Sequence, residues 1–580
     1  MKKGEKSNFF RNVRKTWVYI KQAKKNLIGY ALVSIIEGII GAILPILSAK
    51  IILNITDGVI SQLILSALFV FLIELVLYCM YYYKSTLYSK IYRKTLVGLQ
   101  VAVARETLKL EIKEIDKTSS GLFIDRLNKD TQDISGMFME YTYWFSHIVS
   151  NIGVLAAIFI LNKYLFIYAL ITSTCIFAIN KKRLNKQYEV HKNLRKIQEK
   201  KTGLTSELVR GVKDIKVLNA SKNILKQTTD KIIEASNEEI KMIKIRNIYQ
   251  YFESNLKAIS DFMFIIISSL LYINSLLTLP TFVIIYNYQS KVKNLLIGVV
   301  QILEYNKRFV VSSDRIYEVI ENERFEKEKF GTLSVNKLTG NIEFNNVKFG
   351  YDEKTNIIDN MNFKINPNEK IAFVGKSGAG KTTIFNLITK LYSASSGEIL
   401  FDGYNINDLD CDSLRNNMSI ITQSPYIFNF SIKDNLLLAK EDASMKEIRE
   451  ACKMACIDDF IMSLPEKYET MVGENGVILS GGQKQRLAIA RALLLKTEII
   501  LFDEATSALD NETQSEIQNA IDNLKGEYTI LIVAHRLSTV IDSDRIFVVD
   551  NGKIVDSGSH KELLKKCKIY KDLYKKDLKV

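Results

Sequence analysis

The chain has 580 residues, 47% of them hydrophobic and 25% charged, a balance that supports two or more packed domains and excludes a disordered chain. Its net charge of +15 is unevenly placed, because residues 1–340 hold 49 basic and 29 acidic side chains and the remainder hold 30 and 35. The surplus accompanies long apolar runs, as on the cytoplasmic flanks of membrane helices, and does not form the basic patch on a soluble fold that a nucleic-acid partner would need.

Residues 1–26 are basic, with Lys2, Lys3 and Lys6 but no short apolar core ending in a small-residue cleavage site, so no removable signal peptide is expected. Six apolar stretches follow, at 27–53, 59–83, 138–161, 164–179, 252–273 and 276–300. Most reach the roughly 20 residues a helix needs to cross hydrocarbon. The links after the first, third and fifth stretches are tiny and hold one basic residue, Lys163. By contrast, the N-terminal segment and the loops after the second and fourth are rich in Lys and Arg, among them Arg11, Arg14, Lys181, Lys182 and Arg183. The positive-inside rule then places both termini in the cytoplasm of a multi-pass protein of the cell membrane. The Lys-, Ile- and Asn-rich composition suggests a bacterial plasma membrane.

The two inner loops are long, roughly 55 and 70 residues, with few glycines and no proline. Read as helices, they carry the chain tens of ångströms below the membrane at about 1.5 Å per residue. Two carboxylates, Glu37 and Glu74, fall inside the first and second stretches. A carboxylate in hydrocarbon must face a cavity or find a partner. Each is therefore a candidate for attracting a cationic or amphipathic cargo, with a structural bond between helices as the alternative. Tyr78, Tyr81, Tyr82 and Tyr83 either line the same cavity or anchor the helix at the interface.

Residues 311–340 are expected to link the membrane domain (27–310) to a second domain (341–580). There the texture changes to short apolar strands at 371–374, 499–502, 529–533 and 546–549 alternating with helical segments. The fold class that follows is an all-α six-helix transmembrane domain ahead of an α/β nucleotide-binding domain. The six cysteines show no disulfide framework. Cys452 and Cys456, four apart, read as small apolar residues on a helix, which suits a reduced cytoplasmic setting.

The strongest local signal is Gly375, Lys376, Ser377, Gly378, Ala379, Gly380, Lys381 and Thr382, directly after a strand and directly before a helical run opening at Thr383. This is the phosphate-loop pattern in the context it requires. Its glycines let backbone N–H groups turn onto phosphate oxygens, Lys381 can reach the β and γ phosphates, and Thr382 can ligate Mg²⁺. Downstream, an apolar strand ends in Asp503 and Glu504. Asp503 is the candidate for the Mg²⁺ shell and Glu504 for the base that orients the attacking water.

Between these motifs lies Leu479, Ser480, Gly481, Gly482 and Gln483, followed by Lys484, Gln485 and Arg486. This segment resembles the signature of the ABC transporter superfamily, and the likeness covers the whole chain in the arrangement of an exporter half-unit. The resemblance implies that Tyr351 stacks on adenine and that Gln423 joins the Mg²⁺ site to the membrane domain. It also implies that Ser507, Ala508, Leu509 and Asp510 form the D-loop and that His535 contacts the γ phosphate. It implies further a pair of nucleotide domains holding ATP between the phosphate loop of one and the signature of the other. In the membrane half, 116–121 with Arg126 and Asp130, and 211–216, resemble the two inner-loop coupling segments of ABC exporters. The expected assembly is a homodimer, with a heterodimer as the alternative, moving a peptide, drug-like amphiphile or lipid through the bilayer.

Overall fold

A computed structural model describes residues 3–577, except 57–59, 119, 294–295, 322–323, 353–354, 474–475, 504–514, 516–517, 520, 522–523 and 535–536. The chain forms two compact units, Met1–Lys327 and Glu328–Val580. The boundary between the units falls within residues 311–340, the expected linker. The start of this range belongs to a helix of the first unit, which ends at Ile320, and residues from Glu328 onward pack with the second.

The first unit is helical: α1 (Lys3–Ile20), α2 (Lys24–Thr56), α3 (Ile60–Thr107), α4 (Ile112–Asp116), α5 (Ser120–Asp125), α6 (Thr131–Leu161), α7 (Lys163–Arg210), α8 (Val212–Val217), α9 (Ser221–Ile273), α10 (Leu279–Lys293) and α11 (Ile297–Ile320). A π-helical turn, Arg126–Asp130, joins α5 to α6. The first five apolar stretches lie within α2, α3, α6, α7 and α9, residue 59 falling outside the described residues. The sixth, read as one run over 276–300, is divided between α10 and α11. Among the described residues, four helical segments are long and apolar enough to cross a membrane: Ile60–Thr107, Ser120–Leu161, Lys163–Arg210 and Ser221–Ile273. None of the most apolar window of α3 is buried within the chain, so its side chains are free to face lipid or another subunit.

Local chemistry sets the turns. Asn162 caps α7 by accepting from the backbone N–H groups of Tyr164 and Leu165, at 3.0 and 3.1 Å, and its amide donates to the Leu276 carbonyl at 3.1 Å. One side chain thus fixes the tight α6–α7 link and ties it to the turn after α9. Below the apolar stretches, α3, α7 and α9 run on as continuous helices, α7 reaching 31 residues past 179, about 45 Å at ~1.5 Å per residue. The basic N-terminal segment is a helix docked on α11. Asn12 donates to Ser313 at 2.9 Å, Thr16 meets the Tyr317 hydroxyl at 2.9 Å, and Phe9 packs edge-on against buried Phe309.

The second unit holds two sheets. One is antiparallel, in the order β2 (Ile358–Ile365), β1 (Ile342–Phe349), β4 (Ser396–Phe401), β5 (Tyr404–Asn405). The other runs β10 (Lys553–Gly558), β9 (Arg545–Asp550), β3 (Lys370–Val374), β8 (Thr529–Val533), β7 (Ile499–Asp503), β6 (Met418–Ile421). It is parallel apart from the β10 edge. β3 and β8 are buried at every position, which is why they read as unbroken apolar runs. Alternate side chains serve two cores. Ile371, Phe373, Ile499, Leu501 and Leu531 face the antiparallel sheet, while Ala372, Val374, Ile500, Phe502 and Ile530 face the helical side. A central sheet covered on both faces leaves its strand ends as the open place for chemistry.

Candidate functional site

Strand ends far apart in sequence meet at one edge of the parallel sheet. Phe373 of β3 stands opposite Val533 of β8, Val533 opposite Asp503 of β7, and Phe502 opposite Ile421 of β6. The loop after β3, Asp503 and the segment after β6 that holds Gln423 therefore emerge side by side. The loop needs its glycines. A Cβ at Gly375 would stand 2.1 Å from the Val549 carbonyl oxygen, and Gly380 turns at φ +100 into the helix α12 (Lys381–Ile388). Lys376, Ser377 and Gly378 form its exposed crest, and Ala379 is buried beneath.

Lys381 is 4% exposed, and its ammonium donates to the carbonyls of Gly375 and Lys376 at 3.1 and 3.0 Å. The cation thus lies against the loop that the sequence assigns to phosphate. The Thr382 hydroxyl donates to Asp503 Oδ1 at 3.2 Å, bringing the two principal Mg²⁺ candidates into contact across 121 residues. A hydroxyl and a carboxylate are hard oxygen donors, the set that Mg²⁺ takes alongside phosphate oxygens, so these residues fit the ion. Gln423 is exposed two residues past Ile421, the β6 residue opposite Phe502, and its backbone carbonyl accepts from the Gln485 side-chain amide at 3.4 Å.

Tyr351 presents an exposed ring whose hydroxyl is held at the start of α12, 3.3 Å from the Thr383 hydroxyl and 3.1 Å from the Asn386 amide. The ring meets Tyr392 and Phe349 edge-on, at 5.1 and 5.0 Å between centroids. Asn386 and Tyr392 were not singled out in the sequence. A signal for Asn386 was available in the helical repeat, since it lies one turn beyond Thr382 on the same short helix.

The signature residues bond within their own helix start. Ser480 caps the helix Gly481–Leu495 in a capping box with Gln483, with bonds of 3.2 and 2.8 Å, while Leu479 is buried as its anchor. Ser480 and Gly481 are left exposed at a positive helix end. The segment after β6 is pinned by Arg491, which donates to the carbonyls of Asn435 and Tyr426 at 2.8 and 2.9 Å, another pair the sequence did not reveal. Glu504, the D-loop residues Ser507, Ala508, Leu509 and Asp510, and His535 lie outside the described residues.

In the first unit, Arg126 and Asp130 of the expected coupling region belong to a buried charge network. Arg126 pairs with Glu318 at 2.7 Å, and Arg315 bridges Asp130 at 3.0 Å and Glu199 at 2.8 Å. Burial pushes the Asp130 carboxyl up to about 6, against the pull of Arg315 and Arg195. The folded value exceeds the unfolded one. This carboxyl's contribution to stability is therefore fully present below about pH 4 and is lost as pH rises through about 6.

Glu37 lines a cavity of about 550 Å³ with Lys84, His147 and Lys291. It forms an ion pair with Lys84, whose ammonium also lies 5.3 Å from the Tyr143 ring centroid. Of the two roles expected for Glu37, attraction of a cationic cargo or a structural bond between helices, the second has its partner in place in Lys84. Glu74 is exposed on α3, and Tyr78, Tyr81, Tyr82 and Tyr83 are exposed without lining this cavity.

Two family models match this chain, an ABC transporter transmembrane region over residues 27–292 and an ABC transporter region over residues 358–507. A candidate multidrug export ATP-binding/permease protein of Bacillus subtilis is 41% identical over 303 residues, spanning 52% of each chain, about half the length of that relative. An ATP-dependent lipid A-core flippase of Photobacterium profundum is 30% identical over 489 residues, 83% of each chain. The fold matches a bacterial Atm1-family ABC exporter solved with ATP bound, at a TM-score of 0.85 and 24% identity, over 95% of this chain and 98% of that one. Apolar helices long enough to span a bilayer, a phosphate loop at the edge of a parallel sheet and a relative sharing most of its length make this chain a member of the ABC transporter family, with the transmembrane region fused ahead of the ATP-binding domain.

Proposed function

We propose that this chain is an ATP-hydrolysing exporter half that works as a homodimer and moves a peptide, a drug-like amphiphile or a lipid out of the cytoplasm. The observation that carries the reading is the meeting of Lys381, Thr382 and Asp503 at one sheet edge, in the same polypeptide as helices apolar enough to span a bilayer. Lys381 neutralises phosphate charge, trading its two loop carbonyls for phosphate oxygens. Mg²⁺, held by Thr382 and Asp503 with Gln423 beside them, would supply further charge neutralisation at the transferred phosphoryl group. Glu504 orients the attacking water, and His535 contacts the γ phosphate. The exposed helix start at Ser480 of the partner subunit closes over the nucleotide, so that ATP joins the halves and its hydrolysis releases them.

Both termini and the ATP-binding domain lie in the cytoplasm in this reading, on the strength of the basic inner loops. The similarity to a lipid A-core flippase over 83% of the chain supports lipid as one cargo class, and the similarity to a multidrug export protein supports amphiphilic compounds. The test is ATP turnover by the purified chain alone in lipid nanodiscs, repeated with cationic peptides, hydrophobic drugs and lipids. Stimulation by one class identifies the cargo, whereas a chain that never turns over ATP by itself would remove the homodimer.

The adenine contact has its own test. Tyr351→Ala is expected to weaken ATP binding about ten- to a hundredfold, the loss of roughly 1–3 kcal/mol of base stacking. Tyr351→Phe keeps the ring, gives up only the bonds to Thr383 and Asn386, and should stay within a fewfold of the unaltered chain. Equal losses for both variants in a nucleotide-binding titration would mean that the hydroxyl, not the ring, matters.

A further inference from the structure

A second pocket, of about 300 Å³, lies where α7, α9 and α11 leave their apolar stretches. Its charged lining is lopsided. Arg183, Arg246, Lys307 and Arg308 face it with a single carboxylate, Glu304, which is taken by Arg308 at 2.6 Å. Lys307 donates to the neutral Asn185 side chain at 2.9 Å and lies over the Tyr188 ring. Arg183 Nε is buried and meets no acceptor among the described residues, and Arg246 has no ion-pair partner among them. Nearby carboxylates are engaged elsewhere, Asp133 with Arg195 and Glu253 with Lys257. His191, in the same lining, is pushed down by burial first and then by Arg195 and Arg308, with Asp133 opposing.

Depth matters as much as charge. Arg183 stands four residues past the end of the fourth apolar stretch and Arg246 six residues before the start of the fifth. At ~1.5 Å per residue these offsets are about 6–9 Å, against a headgroup layer of about 5–8 Å on each side of the hydrocarbon. Leu184 and Met242 add apolar wall to the same pocket. Basic pockets between helices at the cytoplasmic face suit phosphate headgroups, and a guanidinium fork binds phosphate bidentately. We propose that this pocket binds a phosphate monoester or diester group, the headgroup of an anionic lipid of the inner leaflet being the source its depth favours. The leaflet assignment rests on the cytoplasmic orientation proposed above, while the binding itself does not require ATP turnover.

The test uses the full chain in phosphatidylcholine nanodiscs with increasing phosphatidic acid, reading bound lipid by native mass spectrometry without nucleotide. The unaltered chain should retain phosphatidic acid over phosphatidylcholine. Arg183→Gln with Arg246→Gln should lower that affinity at least tenfold, whereas Arg183→Lys with Arg246→Lys should keep most of it. Displacement of phosphatidic acid by millimolar inorganic phosphate would support the same anion chemistry with the free ion as its source. No preference for phosphatidic acid in the unaltered chain, or full retention by the glutamine variant, overturns the proposal. Should the glutamine variant not fold, the lipid preference and phosphate competition of the unaltered chain decide. An inactive ATPase would count against the exporter reading and leave this measurement intact.

Discussion

Glu504→Gln is expected to leave ATP binding in place and to cut ATP hydrolysis by about two to four orders of magnitude, the range supplied by a positioned general base. β7 is buried over Ile499–Phe502 and delivers Asp503 to the sheet edge in register with Val533, within reach of Thr382. Asp503 is already engaged by the Thr382 hydroxyl, which leaves the water-orienting role proposed above to the next residue, Glu504. Glutamine matches glutamate in shape but cannot take a proton, so binding and turnover should separate. Asp503→Asn should behave differently, because a donor lost from the Mg²⁺ set weakens nucleotide binding as well. The measurement is ATPase activity in lipid nanodiscs beside a nucleotide-binding titration. A Glu504→Gln chain that keeps a tenth or more of its turnover would place the base elsewhere. Loss of binding and turnover together would make Glu504 part of the binding shell.

The features legible in the sequence were those whose physics is local. A parallel strand buried on both faces must be apolar throughout, so 371–374 and 529–533 stood out and are β3 and β8. A phosphate loop needs glycines at fixed places, and Gly375 and Gly380 are held by a backbone contact and a positive φ. The antiparallel sheet was missed because its strands alternate polar and apolar residues with bulges, as in β1, and do not announce themselves by composition. The sixth apolar stretch, 276–300, is shared between α10 and α11, with residues 294–295 between them outside the described residues. Partnerships between distant positions were hidden altogether. Glu37 gave no hint of Lys84, and Arg183, Arg246 and Arg308 each read as an ordinary basic flank until three helices gathered them around one pocket.

The Glu37–Lys84 pair carries the second large expectation. Lys84 is 7% exposed and Glu37 32% exposed, so removing either partner strands a charge that water reaches poorly. Breaking such a pair costs about 3–5 kcal/mol when fully buried, and the partial exposure of Glu37 argues for the low end, about 3 kcal/mol. Lys84→Met and Glu37→Gln should each lower thermal stability in detergent by that order. The double change, Glu37→Met with Lys84→Met, should recover most of the loss, because no charge is then left without a partner. The same variants decide between the two roles open to Glu37. A carboxylate that attracts cargo would make Glu37→Gln lose stimulation by cationic compounds and keep it for neutral ones. A carboxylate occupied by Lys84 predicts equal losses for both, with the double variant regaining transport as it regains stability. Selective loss for cationic compounds, without the stability loss, would overturn the ion-pair account.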